Sequence, residues 1–274
     1  MSVMKQRLGR LVLYRRIFII NNYQIRHTMK KIVFLMLFCT LTMTIAWSQS
    51  VDAVISKYFE NAGGLEKWKA MKTMKLNGMF PTPQGEFAFE MSRKAPNKYI
   101  ISLDVMGQKM VPQAYDGETA WMLNPFADPT PQELIDDQAK SVILDSDFED
   151  PFIDYASKGY QVTYEGTGDV DGIKCEMLKL VKSTGTEGED LVMLYYFDSE
   201  TFLPILVKQK SAFGQMAGQE VQVYYSDYQD IGEGIIMPFT LDTRVNGQSV
   251  QLVKFSSIVM NVEIGDEVFK FPEQ

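Results

Sequence analysis

Much of the chain alternates between apolar and polar residues with a period of two, a pattern typical of antiparallel strands that have one face in water. Two adjacent segments, GEFAFEMS and KYIISLDV, show this alternation most clearly. Each segment has its apolar side chains on one face: Phe87, Phe89 and Met91 in the first, and Tyr99, Ile101, Leu103 and Val105 in the second. The APNK stretch between them predicts a turn.

The alternation resumes after residue 160 and continues almost to the C-terminus. Seven segments in this part are predicted as strands: YQVTYEG, IKCEMLKLVK, DLVMLYYFD, TFLPILVKQK, QEVQVYYSDY, GIIMPFTLDTRV and SVQLVKFSSIVMNV. The earlier segment TAWML, at residues 119–123, is also predicted as a strand. The turns between the later strands are short, and Asn246–Gly247 is a strong hairpin signal. Since short connections place neighbours in sequence side by side, the pattern predicts one antiparallel sheet of about ten or eleven strands.

Two intervals follow the helical period instead. Residues 51–64 place apolar side chains on one face and end in a pair of glycines, as helix C-termini often do, and residues 65–71 add a short second turn. Residues 130–147 are predicted as another helix, because Thr130 and Glu133 have the spacing of a capping box. The apolar stripe of that helix consists of Leu134, Ile135, Ala139, Val142 and Ile143. A shorter helix is expected in residues 148–159.

The fold class expected from these elements is α+β and mostly β. A single sheet of this length tends to curl, so one of its faces becomes concave. That face is apolar and needs a cover, and the two helical intervals are the segments available to provide it.

Residues 29–48 have the pattern of a secretory signal peptide. Lys30 and Lys31 precede an apolar run over residues 32–47, which is shorter than the roughly 20 residues of a membrane-spanning helix. Ala46 and Ser48 provide the small residues of a cleavage site. Cleavage is therefore predicted near Ser48–Gln49, and the released domain of residues 49–274 is expected in the periplasm.

Cys39 is a poor acceptor for a bacterial lipid, because that modification needs a small preceding residue and Phe38 stands there. Membrane anchoring is therefore not expected. Residues 1–28 read poorly as structure, since Arg15 and Arg16 interrupt their apolar run. The simplest interpretation is that translation starts at Met29 and that residues 1–28 are a mis-called upstream extension. An unusually long basic signal region is the alternative.

Removal of this leader makes the remaining chain strongly acidic. Eight of the 27 Lys and Arg residues and none of the 35 Asp and Glu residues lie in residues 1–48, which leaves 19 bases and a formal net charge of −16. Nucleic acid is then a poor partner, since phosphate binding needs a basic surface.

The residue types that remain exclude several catalytic and metal sites. The single histidine, His27, lies in the leader, and Cys175 is the one cysteine after it. A disulfide within one chain, a zinc site of His and Cys ligands, and catalysis by Ser–His–Asp or Cys–His groups are excluded for the mature chain. No enzymatic activity, cofactor or disulfide-linked partner is predicted, although carboxylate chemistry stays formally open.

The acidic stretch LDSDFEDPFIDY has a spacing of acids similar to the start of a calcium-binding loop. Its acids are Asp145, Asp147, Glu149, Asp150 and Asp154. In the calcium loop the sixth position needs Gly and the twelfth needs Glu, whereas Asp150 and Ala156 stand at those positions. Solvated charge at a helix end is the better interpretation, and no metal site is predicted.

Four motifs carry a resemblance to a known family. Their residues are Phe87, Phe89, Arg93, Pro96, Lys98 and Tyr99 in GEFAFEMSRKAPNKY; Asp116, Gly117, Trp121 and Pro125 in AYDGETAWMLNP; Gly172 in GTGDVDGIKCEMLKL; and Asp198, Leu203 and Pro204 in YYFDSETFLPILV. In this order and spacing they resemble the periplasmic outer-membrane lipoprotein carrier and lipoprotein-sorting proteins, the LolA/LolB-like superfamily. The likeness covers most of residues 51–272.

The resemblance implies an unclosed β-barrel with helices as a lid over its concave face, and an acyl chain as the ligand. Flexible methionines suit such ligands, and 12 of the 17 lie after residue 48. The carriers hold the lid shut with a strand arginine, to which Arg93, at a strand end beside a turn, is the nearest match. The candidate acyl-chain contacts are Phe87, Phe89, Met91, Tyr99, Ile101, Leu103, Trp121, Leu134, Ile135 and Ile143. These are also residues that any sheet would bury as core.

Two functions from different classes are predicted. The first is a soluble periplasmic carrier or binder of outer-membrane lipoproteins or other acyl lipids, with inner- and outer-membrane sorting components as further partners. The alternative is a non-transporting sensor or envelope-assembly partner with the same fold, which would hold a stable protein partner and no lipid.

Overall fold

The computed structural model describes residues 51–82, 85–183, 190–211 and 217–272. The predictions for residues 1–28, the signal peptide and Cys39 lie outside the described residues. Within the described residues, no helix is long and apolar enough to cross a membrane.

Thirteen strands form one antiparallel sheet in the described chain. Their bounds are β1 Thr73–Thr82, β2 Gly85–Lys94, β3 Lys98–Val105, β4 Gln108–Tyr115, β5 Ala120–Asn124, β6 Asp128–Glu133, β7 Gln161–Val170, β8 Ile173–Lys182, β9 Leu191–Asp198, β10 Pro204–Lys210, β11 Glu220–Asp230, β12 Ile236–Val245 and β13 Gln248–Met260. The order across the sheet is β6-β5-β4-β3-β2-β1-β13-β12-β11-β10-β9-β8-β7. Since β6 and β7 form its two edges, the sheet is an unclosed barrel, and the predicted fold class is confirmed.

Three α-helices accompany the described strands. The described part of α1 covers residues 51–61, α2 is Leu65–Ala70, α3 is Asp136–Ser146, and a 3₁₀ turn spans Asp266–Val268. Gly63, between α1 and α2, has φ of 108°, a conformation that favours glycine. A Cβ atom there would lie 2.3 Å from the carbonyl oxygen of Gly234, so this glycine also lets α1 approach the loop before β12.

Three strands were missed by the sequence prediction, namely β1, β4 and β6, which is why the sheet has more than ten or eleven strands. The predicted helix from Thr130 was wrong in its first part, because Thr130 lies in β6 and α3 begins only at Asp136. Thr130 precedes Pro131, and a residue before proline disfavours the helical conformation. Residues 151–159 form successive turns instead of the expected short helix.

The concave face of the sheet carries the largest part of the core. At one end α1 packs on β8 and β9, and at the other end α3 packs on β2 to β5. The first cluster contains Val51, Val54, Ile55, Tyr58, Phe59, Ala62, Phe152, Ile153, Leu178, Leu180 and Phe197. The second contains Phe89, Tyr99, Ile101, Tyr115, Ala120, Leu134 and Val142.

The convex face of β3 to β5 is covered by the chain that follows β13. Ile264 and Phe269 pack there in a third cluster with Ile100, Val111, Ala114 and Trp121. The indole Nε1–H of Trp121 donates a 2.9 Å hydrogen bond to the carbonyl oxygen of Phe269. The C-terminal segment is therefore fastened to the side of the sheet opposite the helices.

Candidate functional site

A cavity of about 380 Å³ lies between the middle of the concave face and its cover. Its floor comes from β1, β2 and β9 to β13, and its cover from α1, α2 and residues 147–151. The lining residues are Tyr58, Trp68, Met71, Met74, Leu76, Met91, Arg93, Asp147, Phe148, Glu149, Asp150, Pro151, Tyr195, Pro204, Tyr225, Tyr228, Ile236, Met237, Pro238, Leu241, Phe255 and Ile258. We call this space the central cavity.

One part of the central cavity is apolar and rich in methionine. Met71, Met74, Met91 and Met237 line it together with Leu76. Unbranched, polarisable methionine side chains adapt to ligands of irregular shape. The volume lies within the range of small-molecule pockets, so this part suits a flexible apolar group.

Strand pairing explains why these side chains converge. Leu76 of β1 stands opposite Met91 of β2 and, on its other side, opposite Ile258 of β13. Directly opposed residues point to the same face of an antiparallel sheet. Strand β1 thus joins residues from both halves of the chain into one floor.

Arg93 connects this floor to the cover. Its Nη2 donates a 2.9 Å hydrogen bond to the carbonyl oxygen of Asp145 and a second hydrogen bond to that of Asp147. These carbonyls belong to the C-terminal end of α3, where the helix dipole is negative and favours a cation. The Nε atom of Arg93 is buried, and it has no hydrogen-bond partner in the described part of the chain. Burial lowers the pKa of Arg93, but an arginine remains charged in proteins.

The polar part of the central cavity is built around Asp150. Its Oδ2 accepts a 2.8 Å hydrogen bond from the hydroxyl of Tyr58, and its Oδ1 accepts a 2.9 Å bond from the backbone N–H of Phe152. Loss of water raises the pKa of Asp150, although these two hydrogen bonds oppose the shift. The carboxylate is therefore fixed by α1 and by its own turn.

Four phenols lie around that carboxylate. The pKa values of Tyr58, Tyr195, Tyr225 and Tyr228 are all raised, mainly by removal from water and in addition by the negative charge of Asp150. The pKa of Tyr225 reaches about 12. All four phenols are thus neutral hydrogen-bonding groups at ordinary pH.

A second pocket, of about 600 Å³, shares residues 147–149, Pro151 and Tyr195 with the central cavity. Three lysines line it, but two of them are paired. Lys182 forms an ion pair with Asp147, and Lys158 forms one with Glu149 at 2.9 Å. Its positive charge is therefore largely neutralised by its own acids.

The structure distributes the sequence-predicted ligand residues over several places. Met91 lines the central cavity. Phe89, Tyr99, Ile101 and Leu134 are buried in the concave core under α3, with Leu103 packed against them. Phe87 is half-buried on the same face of β2, opposite Phe80 of β1. Whether these residues contact a ligand stays a prediction.

The other three predicted residues lie elsewhere. Trp121 stands opposite Ala114 and is buried on the convex face, under the C-terminal segment. The alternation in TAWML correctly predicted a strand, but it does not indicate which face of that strand points to the concave side. Ile135 is 64% exposed and Ile143 is 39% exposed, because α3 begins later than predicted and presents Val142 to the sheet instead.

Most lining residues of the central cavity were missed by the sequence prediction. Those of the floor come from β1, which was not predicted, and from β9 to β13, which were predicted as strands without a role in the site. Those of the cover come from α1, α2 and residues 147–151. The signal that could have found part of the floor is the sequence TMKLN, where Met74 and Leu76 alternate with Thr73, Lys75 and Asn77.

In the described chain, no three His, Cys, Asp or Glu side chains come together in a way that could hold a metal ion. No protein-family profile matches the sequence, and no curated protein matches it.

Solved structures of the same fold do exist. A DUF1329 family protein from Desulfovibrio piger matches with a TM-score of 0.54 and 15% identity, over 79% of this chain and 97% of that one. A LolA superfamily protein from Nitrosomonas europaea matches with a TM-score of 0.52 and 13% identity, over 80% and 96% of the two chains. A protein named as an outer-membrane lipoprotein-sorting domain, from Vibrio parahaemolyticus, matches with a TM-score of 0.51 and 12% identity, over 78% and 96%. At these identities the likeness establishes the fold, which is the fold of LolA-superfamily proteins.

Proposed function

We propose that this protein is a periplasmic carrier or binder of outer-membrane lipoproteins or other acyl lipids, and not an enzyme. The observation that carries the proposal is the central cavity, which has an apolar part lined by four methionines, under a cover that separate segments of the chain provide. A ligand with a long alkyl chain fits that chemistry. The shared fold with LolA-superfamily proteins agrees with it.

The cover supplies a way for such a ligand to enter. α3 is held at its C-terminal end by the two hydrogen bonds of Arg93, and residues 147–151 follow directly and line the cavity. Release of that end would free the segment that lies over the methionines. Exchange of a bound chain then requires no disruption of the sheet.

Export is part of the proposal. The basic start, apolar run and small residues of residues 29–48 are expected to direct the chain to the periplasm and to be removed near Ser48–Gln49. The partners would then be lipoproteins or lipids, with inner- and outer-membrane sorting components.

Native mass spectrometry of the protein, expressed from its full gene in a Gram-negative host and purified from the periplasm, tests the proposal. We expect a co-purifying acyl ligand, and displacement of a fluorescent alkyl probe from the purified protein by lipids. Met91→Trp should weaken alkyl binding by about tenfold or more, because the indole occupies the cavity.

Val250→Trp is the matched control, since Val250 is 55% exposed and does not line the central cavity. It should leave alkyl binding unchanged. If the protein carries no lipid, binds no alkyl probe and instead retains a stoichiometric protein partner, the non-transporting alternative replaces the carrier.

A further inference from the structure

The carboxylate of Asp150 faces the central cavity without a cationic partner. It is half-buried and accepts its two hydrogen bonds from a tyrosine hydroxyl and a backbone N–H. Neither donor carries a charge. The nearby cation Lys158 forms its ion pair with Glu149 at 2.9 Å and acts on Asp150 through a longer-range charge interaction. The charge of Asp150 is thus not neutralised by an ion pair of its own, and each carboxylate oxygen has lone pairs to spare.

Aromatic side chains line the same end of the cavity. They are Tyr58, Trp68, Tyr195, Tyr225 and Tyr228. The faces of such rings carry partial negative charge and attract cations, most strongly where water is excluded. Aromatic cages bind quaternary ammonium groups in proteins, and a carboxylate among the rings adds an opposite charge.

We propose that this end of the central cavity is a subsite for an ammonium group, formed by Asp150 and the surrounding aromatic rings. The ligand class is an amphiphile whose alkyl chain lies along the methionines and whose amine lies against Asp150. This inference rests on the proposed function, since it takes the alkyl part of the cavity as given. A hydroxyl group would bond the carboxylate but leave it without an ion pair, and an anionic group would be repelled by it.

The neighbouring lysine pocket is a weaker place for a charged head group. Lys158 and Lys182 already have acidic partners there, so an anion would have to compete with Glu149 and Asp147. Asp150, in contrast, needs no existing pair to be broken. Arg93 is the cation in the lining of the central cavity, and it donates to the carbonyl oxygens of Asp145 and Asp147. The comparison therefore favours a cation beside Asp150 over an anion beside Lys158 and Lys182.

Competition binding with four alkyl compounds of equal length tests the subsite. The assay measures displacement of a fluorescent alkyl probe by each compound, below its critical micelle concentration. The compounds are dodecylammonium, dodecyltrimethylammonium, dodecanol and dodecanoate. We expect the two cations to bind about tenfold more tightly than dodecanol, and dodecanoate to bind most weakly. Ethylammonium, which lacks the chain, separates recognition of an amphiphile from recognition of a free amine and should compete only weakly.

Substitutions at Asp150 and Tyr225 test whether these residues cause the preference for ammonium over dodecanol. Asp150→Asn removes the charge while keeping acceptor and shape, and it should reduce the preference for ammonium over dodecanol to within about twofold. Asp154→Asn is the matched control, because Asp154 is an exposed acid of the same segment that pairs with Lys69 at 2.9 Å. Tyr225→Leu should lower ammonium binding more than Tyr225→Phe, which keeps the ring. Thermal unfolding of each variant verifies that it folds.

The outcomes distinguish the two proposals. Equal affinity for dodecanol and the cations, unchanged by Asp150→Asn, overturns the ammonium subsite and leaves the alkyl cavity standing. A preference that survives Asp150→Asn but is lost in Asp154→Asn also overturns it. Failure of all four compounds to bind overturns the proposed function together with this inference.

Discussion

The guanidinium of Arg93 on strand β2 donates a 2.9 Å hydrogen bond to the carbonyl oxygen of Asp145, in the last turn of helix α3. A second bond reaches the carbonyl of Asp147 just beyond the helix. One side chain of the floor thus holds the end of the helix that covers the concave face. The position of that helix end depends on a contact that can be broken without touching the core.

Arg93→Gln is expected to loosen this end of the cover. Loss of two hydrogen bonds from a charged donor should destabilise the fold by about 1–3 kcal/mol, and amide hydrogen exchange should rise in residues 136–150. Lys75→Gln, which removes an exposed cation of β1 that pairs with Glu90, is the control and should change stability by less than about 1 kcal/mol. Unchanged exchange across α3 in the Arg93 variant would contradict the holding role.

Asp150 should make stability fall as the pH rises. Burial raises its folded-state pKa above the ordinary 3.8, so the folded protein binds this proton more tightly than the unfolded chain does. The stabilisation is complete below 3.8 and is lost as the pH passes upward through the raised pKa. Asp150→Asn should therefore gain stability relative to the parent between acidic and neutral pH, measured by denaturant unfolding at several pH values. A stability difference between Asp150→Asn and the parent that does not vary with pH would contradict this prediction.

Asp266 should have the opposite effect. Hydrogen bonds from Lys94 and Lys98, at 2.7 and 2.8 Å, lower its pKa from 3.8 to about 2. The stabilisation that Asp266 gives the folded state is present above pH 3.8 and is lost as the pH falls from there to about 2. We expect Asp266→Asn to be less stable than the parent at pH 6, and the two to converge near the acidic limit. The stability difference between the two proteins at pH 6 should be smaller in 1 M salt, because salt screens exposed ion pairs.

The C-terminal segment should matter for stability and not for ligand binding. Phe269, which is fully buried, packs beside Trp121 on the convex face, so Phe269→Ala should cost about 3–5 kcal/mol. Trp121→Phe, which loses the bond to the Phe269 carbonyl, should cost about 1–2 kcal/mol. Neither should change alkyl affinity, measured at a temperature where both variants are folded. Phe126→Ala, at a residue 52% exposed, should change stability by less than about 0.5 kcal/mol.

The period of two was sufficient to predict ten of the thirteen described strands as one antiparallel sheet, and it missed β1, β4 and β6. It was not sufficient for the site, since alternation does not say which face is concave. Trp121 was grouped with Phe89 and Met91, yet the register places it on the other face.

Long-range pairing explains the other differences. Met74 and Leu76 matter because β1 lies beside β13, a strand from the far end of the sequence. Arg93 is close to a turn in sequence, which argues against a role in holding a helix, and only the fold brings α3 to it. Asp150 looked like a solvated charge, and its burial depends on Tyr58 of α1.

The pairing of β1 with β13 also has a consequence for how the chain folds. The sheet consists of two runs of neighbouring strands, β1 to β6 and β7 to β13, and these two runs are joined through the first strand and the last. During synthesis or export, the edge of β1 stays unpaired until residue 260 has emerged, and an unpaired edge invites association with other chains. The floor of the central cavity is completed by the same event, so the nascent chain does not enclose this cavity before β13 has emerged.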